Sequence, residues 1–282
     1  MRLMSWNVWW RFGPSWAARE VGILAVVRAV APDLLGLQES WSAASGSQPA
    51  LLAERLGGLH SAFQETSIPP IPDPVENADQ VGVAMGVGLV SRWPVLDAVG
   101  YELPAEHRPP PTALVARLDH PLGPLHVIVA CTEWEPVFRD DHVAQVTELA
   151  RLMSSDRFDG DLPVILLGDL NARPGSPEIE TLTTVATDLW PAGGGAEDAI
   201  TLSSATPFAP LEAVRQINRR IDYVLARPGR PDGVISASGS MLAGTEPING
   251  TFPSDHFATV SDLAVVPVPH QNGAEHERAS AR

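Results

Sequence analysis

Short apolar runs bounded by glycine, proline and polar residues recur along this chain and alternate with stretches of helical spacing. Runs of this length are typical of buried strands, whereas a helix needs a longer stretch with one apolar face. The predicted strands are 3–10, 33–39, 81–90, 112–118, 125–131, 162–167, 219–225 and 257–263. The predicted helices run from Ser15 to before Pro32, over 50–58, and onward from Asp140 and Asp141, which can cap the third helix. We therefore expect one domain of alternating strands and helices over residues 1–268.

Three segments have neither the apolar runs of buried strands nor the spacing of an amphipathic helix. Residues 68–79 contain four prolines and are predicted to form an irregular loop, and residues 193–218 are predicted to loop over the surface. The polar segment 269–282 has no hydrophobic anchor, which predicts a disordered tail. We expect segments 64–80 and 193–218, which contain these two loops, to select the substrate.

The basic and sulfur-containing residues exclude several classes of protein. All 19 basic residues are arginine, so the chain has no lysine for a phosphate-binding loop, for a pyridoxal phosphate Schiff base or for an amine nucleophile. Cys131 is the only cysteine, which excludes a disulfide within the chain, a four-cysteine zinc site and an iron–sulfur cluster. The N-terminus lacks secretory-signal features and no apolar run reaches the ~20 residues of a membrane span, so we expect a cytoplasmic protein.

Polar side chains occur where the predicted strands begin or end. Because antiparallel neighbours in a mixed sheet place a strand end beside a strand start, these side chains are expected at one rim of the sheet. Carboxylates that converge with a histidine suit a hard divalent cation and a water nucleophile. The residues concerned are Asn7, Glu39, Asp169, Asn171, Asp222, Asp255 and His256.

Five short motifs, in this order, resemble the successive motifs of the endonuclease/exonuclease/phosphatase superfamily, the deoxyribonuclease-I-like phosphohydrolases. They are Ser5-Trp6-Asn7-Val8, Gly36-Leu37-Gln38-Glu39, Gly168-Asp169-Leu170-Asn171, Arg220-Ile221-Asp222-Tyr223 and Ser254-Asp255-His256. The resemblance covers residues 1 to about 265. It implies an α+β fold, a four-layer α/β/β/α sandwich in which two mixed β-sheets pack face to face with helices outside. It also implies Mg²⁺-dependent hydrolysis of phosphoesters, with Mn²⁺ as a possible substitute.

The resemblance implies a metal site with few protein ligands. Glu39 would be the main Mg²⁺ ligand, and Asn7 and Asp255 would lie close to the ion or to its waters. Such a sparse set is chemically sufficient because Mg²⁺ keeps several of its waters when it binds a protein.

The resemblance also implies roles in the hydrolysis itself. Asp169 would orient or deprotonate the attacking water, and the Asn171 amide would donate to a phosphoryl oxygen as its charge develops. His256 would contact the phosphate from the other side. Asp222 would hold His256 in one tautomer and favour its charged form.

One position departs from the superfamily pattern. After the strand 125–131 many members have Thr-His, whereas this chain has Thr132-Glu133-Trp134-Glu135. A carboxylate repels a phosphate, so Glu133 either turns away, adds a metal ligand, or binds a donor or cationic group of an unusual substrate. Trp134 is a candidate stacking surface for a substrate, although core packing would explain it equally. Arg220 belongs to a group of five arginines between Arg215 and Arg230 that is either a solvated face or a phosphate-binding patch.

The formal net charge of −15 bears on the substrate. Affinity for a nucleic-acid backbone comes mostly from basic side chains that neutralise phosphates, which this chain has in small number. We therefore expect a small phosphomonoester or phosphodiester as substrate, with DNA or RNA as the alternative. A catalytically silent member of the superfamily that binds a ligand or partner in the same cleft is a third hypothesis. The sequence does not predict the oligomeric state.

Overall fold

The computed structural model describes residues 1–231 and 233–264. The predicted tail, 269–282, lies outside the described residues. The strands are β1 (Arg2–Asn7), β2 (Leu34–Ala43), β3 (Gly46–Ser47), β4 (His60–Glu65), β5 (Ala84–Ser91), β6 (Val95–Glu102), β7 (Thr112–His120), β8 (Gly123–Cys131), β9 (Val164–Asp169), β10 (Thr187–Asp188), β11 (Asp222–Arg227), β12 (Ser236–Ala243) and β13 (Ala258–Ala264). The α-helices are α1 (Trp16–Val30), α2 (Gln48–Arg55), α3 (Arg139–Met153), α4 (Pro177–Thr183) and α5 (Leu189–Ala192).

The strands form two mixed sheets, as predicted. The first sheet has the order β12-β13-β1-β2-β5-β4, with β3 beside β2, and the second has the order β10-β11-β9-β8-β7-β6. The pairs β1–β2 and β8–β9 are parallel, and the other pairs are antiparallel.

Apolar side chains from the inner faces of both sheets form one core between them, and helices cover the outer faces. Leu34 and Val87 of the first sheet share this core with Ile165 and Val224 of the second. Helices α1 and α2 pack on the outer face of the first sheet, and α3 and α4 pack on that of the second. The predicted four-layer sandwich is confirmed.

Gly36 in β2 lets the two sheets approach closely beside the predicted site. A Cβ atom at this position would lie 2.5 Å from Cβ of Leu167 in β9. Any larger residue would push β2 away from β9, and these strands carry Glu39 and Asp169. The glycine therefore helps to set the distance between the two halves of the site.

Glu39 does not end its strand, as the apolar run had suggested. Strand β2 continues to Ala43, and its register against β5 shifts between Leu37 and Ser40. Glu39 lies in this β-bulge with a left-handed φ of 50°. A bulge re-aims a side chain without ending the pairing, which is why the polar residue was mistaken for a strand end.

Two further differences have simple causes. Asp140 and Asp141 lie in the first turn of α3 instead of capping it, since Phe138 occupies the N-cap position. The sequence did not predict β4, β6 and β12, which are edge strands of their sheets. Edge strands such as β6 and β12 are half-exposed and therefore lack a continuous apolar run.

Candidate functional site

The predicted site residues meet at one edge of the sandwich, where the two sheets adjoin. Parallel strands β1 and β2 end there, and β13 begins beside the end of β1 because the two strands are antiparallel. In the second sheet, the last residue of β9, Asp169, pairs with the first residue of β11, Asp222. The sheet topology therefore brings polar residues that are far apart in sequence to one place.

Asn7 joins the two sheets through its side-chain amide. Its Nδ2 donates to Oε1 of Glu39 at 2.8 Å and to Oδ2 of Asp169 at 3.0 Å. Its Oδ1 accepts from the backbone N–H of Trp9 at 2.9 Å, which fixes the orientation of the amide. One buried amide thus places a carboxylate from each sheet on either side of a single nitrogen.

Glu39 and Asp255 are neighbouring carboxylates whose ionised forms are disfavoured. Burial, followed by the negative charge of Asp255, raises the pKa of Glu39 to about 8, although the Asn7 amide opposes this rise. Burial likewise raises the pKa of Asp255. Neither carboxylate forms an ion pair with a basic side chain in the described part of the chain. A half-buried carboxylate whose charge a buried neighbouring carboxylate disfavours is a donor set that a divalent cation would stabilise, so the residues fit Mg²⁺ or Mn²⁺.

Arg19 supports this pair, and the sequence analysis did not single it out. Its buried guanidinium, on α1, donates to four backbone carbonyls that follow β1: those of Val8, Trp9, Trp10 and Phe12. It also reaches the carbonyl oxygen of Pro253 at 3.4 Å, so it ties the segment after Asn7 to the segment before Asp255. Burial lowers its pKa to about 10, while Asp255 favours its charged form. No local signal distinguished Arg19, because its partners are carbonyl groups brought near only by the fold.

His256 and Asp222 form a buried hydrogen-bonded pair. The imidazole Nδ1 lies 3.0 Å from Oδ2 of Asp222, and Nε2 lies 3.9 Å from Oδ2 of Asp169. Burial alone would lower the pKa of His256, but three carboxylates, Asp222 foremost, outweigh this effect and raise the pKa well above its ordinary value. The ring is therefore a cation that presents an N–H toward Asp169.

Asp222 itself is held by its backbone. Thr201 Oγ1 accepts from the N–H of Asp222 at 3.3 Å, and the hydroxyl of Thr259 donates to its carbonyl oxygen at 3.2 Å. The carboxylate is fully buried, and its Oδ1 has no hydrogen-bond partner among the described residues. Its one strong contact is therefore with His256.

We expect Asp222→Asn to move the alkaline limb of the pH–rate profile to lower pH by about one unit or more. The amide keeps the shape of the side chain but removes the largest charge that raises the pKa of His256. The imidazolium would then lose its proton at a lower pH. The profile would be measured for the parent, for this variant and for Asp119→Asn, an exposed control. A variant profile that superimposes on the parent would contradict the pairing.

Asp169 lies between Asn7 and His256. Burial, followed by the charge of Asp222, raises its pKa to about 7, and its Oδ1 accepts from the backbone N–H of Asn171 at 3.1 Å. Ligand atoms of Asp169, Asp222 and His256 lie within 4.8 Å of one another, a spacing that could hold a metal ion. A hard cation prefers oxygen ligands, however, and Asp222 already occupies one nitrogen of His256. The all-oxygen pair Glu39 and Asp255 therefore remains the other candidate donor set.

Asn171 follows Asp169 in a left-handed conformation, with a φ of 48°. Its Nδ2 donates to the carbonyl oxygen of Thr132 at 3.0 Å, which leaves one amide hydrogen for another acceptor. Its orientation is thus fixed by the loop that follows β8.

Each of the three predicted substrate-binding residues already contacts other groups of the protein. Glu133 is buried, and its Oε1 accepts from the N–H groups of Trp134 and Glu135 at 2.8 and 2.9 Å. Its other oxygen faces Arg108 at 3.3 Å, so both carboxylate oxygens have partners near their own loop. Trp134 packs against Leu202 and its neighbours.

Arg220 is a buried partner of Asp188, at 2.6 Å, and lies over the ring of Tyr223. Its charge is therefore already neutralised. A phosphate would have to displace this ion pair to reach the guanidinium, so the contact with Asp188 competes with the predicted phosphate contact.

We expect Glu133→Ala to lower the free energy of unfolding by about 1–3 kcal/mol without raising turnover. The substitution removes the acceptor for two backbone N–H groups and one of the two carboxylates that pair with Arg108, the other being Glu135. Chemical denaturation and steady-state kinetics would measure the two effects. Faster hydrolysis with unchanged stability would mean that the carboxylate faces the substrate.

The comparisons with known proteins agree with this fold. The sequence model of the Endonuclease/Exonuclease/phosphatase family matches residues 4–256. A humanized Danio rerio TDP2 carrying 14 mutations is 18% identical, with a TM-score of 0.71, 94% of this chain covered and 98% of the other. An endonuclease/exonuclease/phosphatase from Beutenbergia cavernae is 26% identical, with a TM-score of 0.66 and coverage of 94% and 71%.

The D. rerio TDP2 complexed with a single-strand DNA product is 18% identical, with a TM-score of 0.69 and coverage of 94% and 98%. No curated protein matches the chain in sequence. Among the described residues, every helix is too short or too polar to cross a membrane.

Proposed function

We propose a function for this chain from its family, since it belongs to the endonuclease/exonuclease/phosphatase family. It hydrolyses a small phosphomonoester or phosphodiester with the help of a divalent cation. One observation carries the proposal. The Asn7 amide holds Glu39 and Asp169 on either side of itself, and the charged His256 lies 3.9 Å from Asp169. Cation ligands, a base and a cationic donor therefore adjoin one another, as phosphoester hydrolysis requires.

Glu39 and Asp255 would hold the cation, with Asn7 beside it. The support is that the charged forms of both carboxylates are disfavoured, that of Glu39 in part by Asp255, and that neither forms an ion pair among the described side chains. Mg²⁺ or Mn²⁺ bound there would supply Lewis-acid stabilisation of the charge that develops on the phosphoryl oxygens. Arg19 would keep the two segments that carry these ligands in register through its carbonyl contacts.

Asp169 would orient the attacking water and accept its proton. A pKa of about 7 leaves a substantial fraction of this carboxylate ionised near neutral pH and makes it a stronger base than an ordinary aspartate. The N–H groups of Asn7 and Asn171 orient its two oxygens.

His256 and Asn171 would stabilise the phosphoryl group. The imidazolium keeps its proton because Asp222 holds the other ring nitrogen, so Nε2–H is available to a phosphoryl oxygen. The second amide hydrogen of Asn171 is the other available donor. Donors fixed before the substrate binds stabilise developing charge at little cost in reorganisation.

A nuclease is the second candidate, because the similar D. rerio TDP2 was solved with a single-strand DNA product. The net charge of −15 weighs against a long polyanion as the preferred substrate. A catalytically silent member that binds a ligand or partner is the third candidate. The complete set of acid, amide and histidine side chains weighs against it.

Hydrolysis of an aryl phosphomonoester and an aryl phosphodiester with Mg²⁺ or Mn²⁺ tests the proposal. We expect turnover that a chelator abolishes and that added metal restores. Plasmid and oligonucleotide digestion over a salt series separates the candidates. Efficient plasmid digestion at low enzyme concentration would favour the nuclease, and no turnover of any phosphoester would favour the silent member.

A further inference from the structure

A cleft of about 320 Å³ lies beside Asn171 and is rich in arginine. It lies between the start of α3, the segment that follows Asn171 and the end of the long loop before β11. Four of its lining residues, which we call the arginine cleft, are Arg139, Arg173, Arg215 and Arg219. The mechanism proposed above uses none of them.

The positive charge of the arginine cleft is only partly neutralised. Glu178 is the one carboxylate that lines it, and its side chain lies 3.8 Å from Arg139 and 3.9 Å from Arg215. Neither Arg173 nor Arg219 has an ion pair with a carboxylate in the described ranges. Excess positive charge in one cleft of a chain with net charge −15 indicates a binding site for an anion.

Glu178 lies near Arg139 and Arg215 but does not accept hydrogen bonds from their guanidinium groups. The side chain is 1% exposed, and its Oε1 has no hydrogen-bond partner among the described residues. It lies too far from both guanidinium groups to accept a hydrogen bond from them. Arg139 and Arg215 are 54% and 39% exposed, so their N–H groups are free to donate to an anion in the cleft.

The arginine cleft adjoins the proposed reaction site through Asn171. Asn171 lines the cleft, and its carbonyl oxygen lies 3.4 Å from Nε2 of Gln216, the neighbour of Arg215. An anion in the cleft would therefore lie beside the residue whose amide is proposed to contact the scissile phosphoryl group. Guanidinium groups bind phosphate oxygens in pairs, which makes phosphate the anion that best fits a cluster of arginines.

We propose that the arginine cleft binds a second phosphate group, so that the substrate is a small molecule carrying at least two phosphates. This inference rests on the proposed function, because it assumes that the scissile phosphate lies at Asp169 and His256. The cleft is compact and belongs to a strongly acidic chain, which favours a small substrate over a nucleic-acid strand.

Calorimetric binding to the metal-free Asp169→Asn protein tests the inference separately from hydrolysis. The probes are adenosine 3′,5′-bisphosphate, the two adenosine monophosphates and a short oligothymidylate. We expect the bisphosphate to bind about tenfold or more tightly than either monophosphate, as one extra charge-assisted contact would give. The double variant Arg173→Gln/Arg215→Gln should lose this advantage, whereas Arg230→Gln should keep it, since that residue pairs with Asp156 outside the cleft.

Equal affinities for the three nucleotides, or an advantage that survives in the double variant, would overturn the inference. Oligothymidylate binding that exceeds bisphosphate binding and depends on the same two arginines would replace it with a strand-binding surface. If the arginine cleft binds no second phosphate, the metal-loaded parent should still hydrolyse simple phosphoesters. Failure of the proposed function would appear separately, as no turnover of any phosphoester by the metal-loaded parent.

Discussion

The Asp169→Asn variant is expected to lose phosphoester hydrolysis by about 10²–10⁴-fold, the usual contribution of a positioned general base. The amide has nearly the same shape but cannot accept the proton of the attacking water. The fold should persist, because the amide oxygen still accepts from one of the two donors, Asn7 Nδ2 or the Asn171 backbone N–H, and the substitution removes a buried charge. Steady-state kinetics with an aryl phosphodiester and saturating Mn²⁺ would measure the loss.

Asp97→Asn is the matched control for this prediction, since it makes the same chemical change on an exposed strand of the second sheet. We expect the control to retain parental turnover and both variants to unfold cooperatively from a folded state at the assay temperature. Parental turnover by Asp169→Asn would rule out Asp169 as the base.

The Glu39→Gln variant is expected to bind Mg²⁺ and Mn²⁺ more than about 100-fold more weakly than the parent. Loss of a group that only supports a metal ligand usually costs 10–100-fold in affinity, so loss of the main ligand should cost more. Without metal, the variant should be at least as stable as the parent at neutral pH, because a buried carboxylate that resists ionisation is replaced by a neutral amide.

Isothermal titration with each metal and denaturation without metal would measure the two effects. Glu54→Gln on α2 is the matched control, because that carboxylate is exposed. Unchanged metal affinity in Glu39→Gln, or an unfolded variant, would show that this carboxylate serves the core and not an ion.

The sequence was sufficient to predict the fold class and the gathering of the site residues. Interior strands are buried on both faces, so they leave apolar runs, and the polar residues that follow them, such as Asn7 and Asp169, mark the strand ends. The edge strands β4, β6 and β12 left no such run because solvent covers part of them. Each of these strands forms because its backbone N–H and C=O groups pair with those of one neighbouring strand, which the sequence of the edge strand does not reveal.

The parts of the site that depend on distant contacts were not predictable. Arg19 binds backbone carbonyls, which have no sequence signature, and the bulge at Glu39 depends on pairing with β5. Glu133 illustrates the same limit. Sequence alone allowed three orientations, and only the nearby N–H groups of its own loop and Arg108 distinguish them.

The arginines between Arg215 and Arg230 have different partners in the folded chain, which their sequence positions did not indicate. Arg220 and Arg230 pair with carboxylates, whereas Arg215 and Arg219 line the cleft beside Asn171. Proximity in sequence therefore predicted a basic patch but not which arginines are free to bind phosphate.

An anomalous difference map from a crystal soaked in Mn²⁺ would test the central claim most directly. The account predicts a peak within coordination distance of the carboxylate oxygens of Glu39 and Asp255, with Asn7 adjoining it. A peak confined to Asp169, Asp222 and His256 would contradict it. So would the absence of a peak beside Glu39 and Asp255 at a Mn²⁺ concentration that saturates turnover.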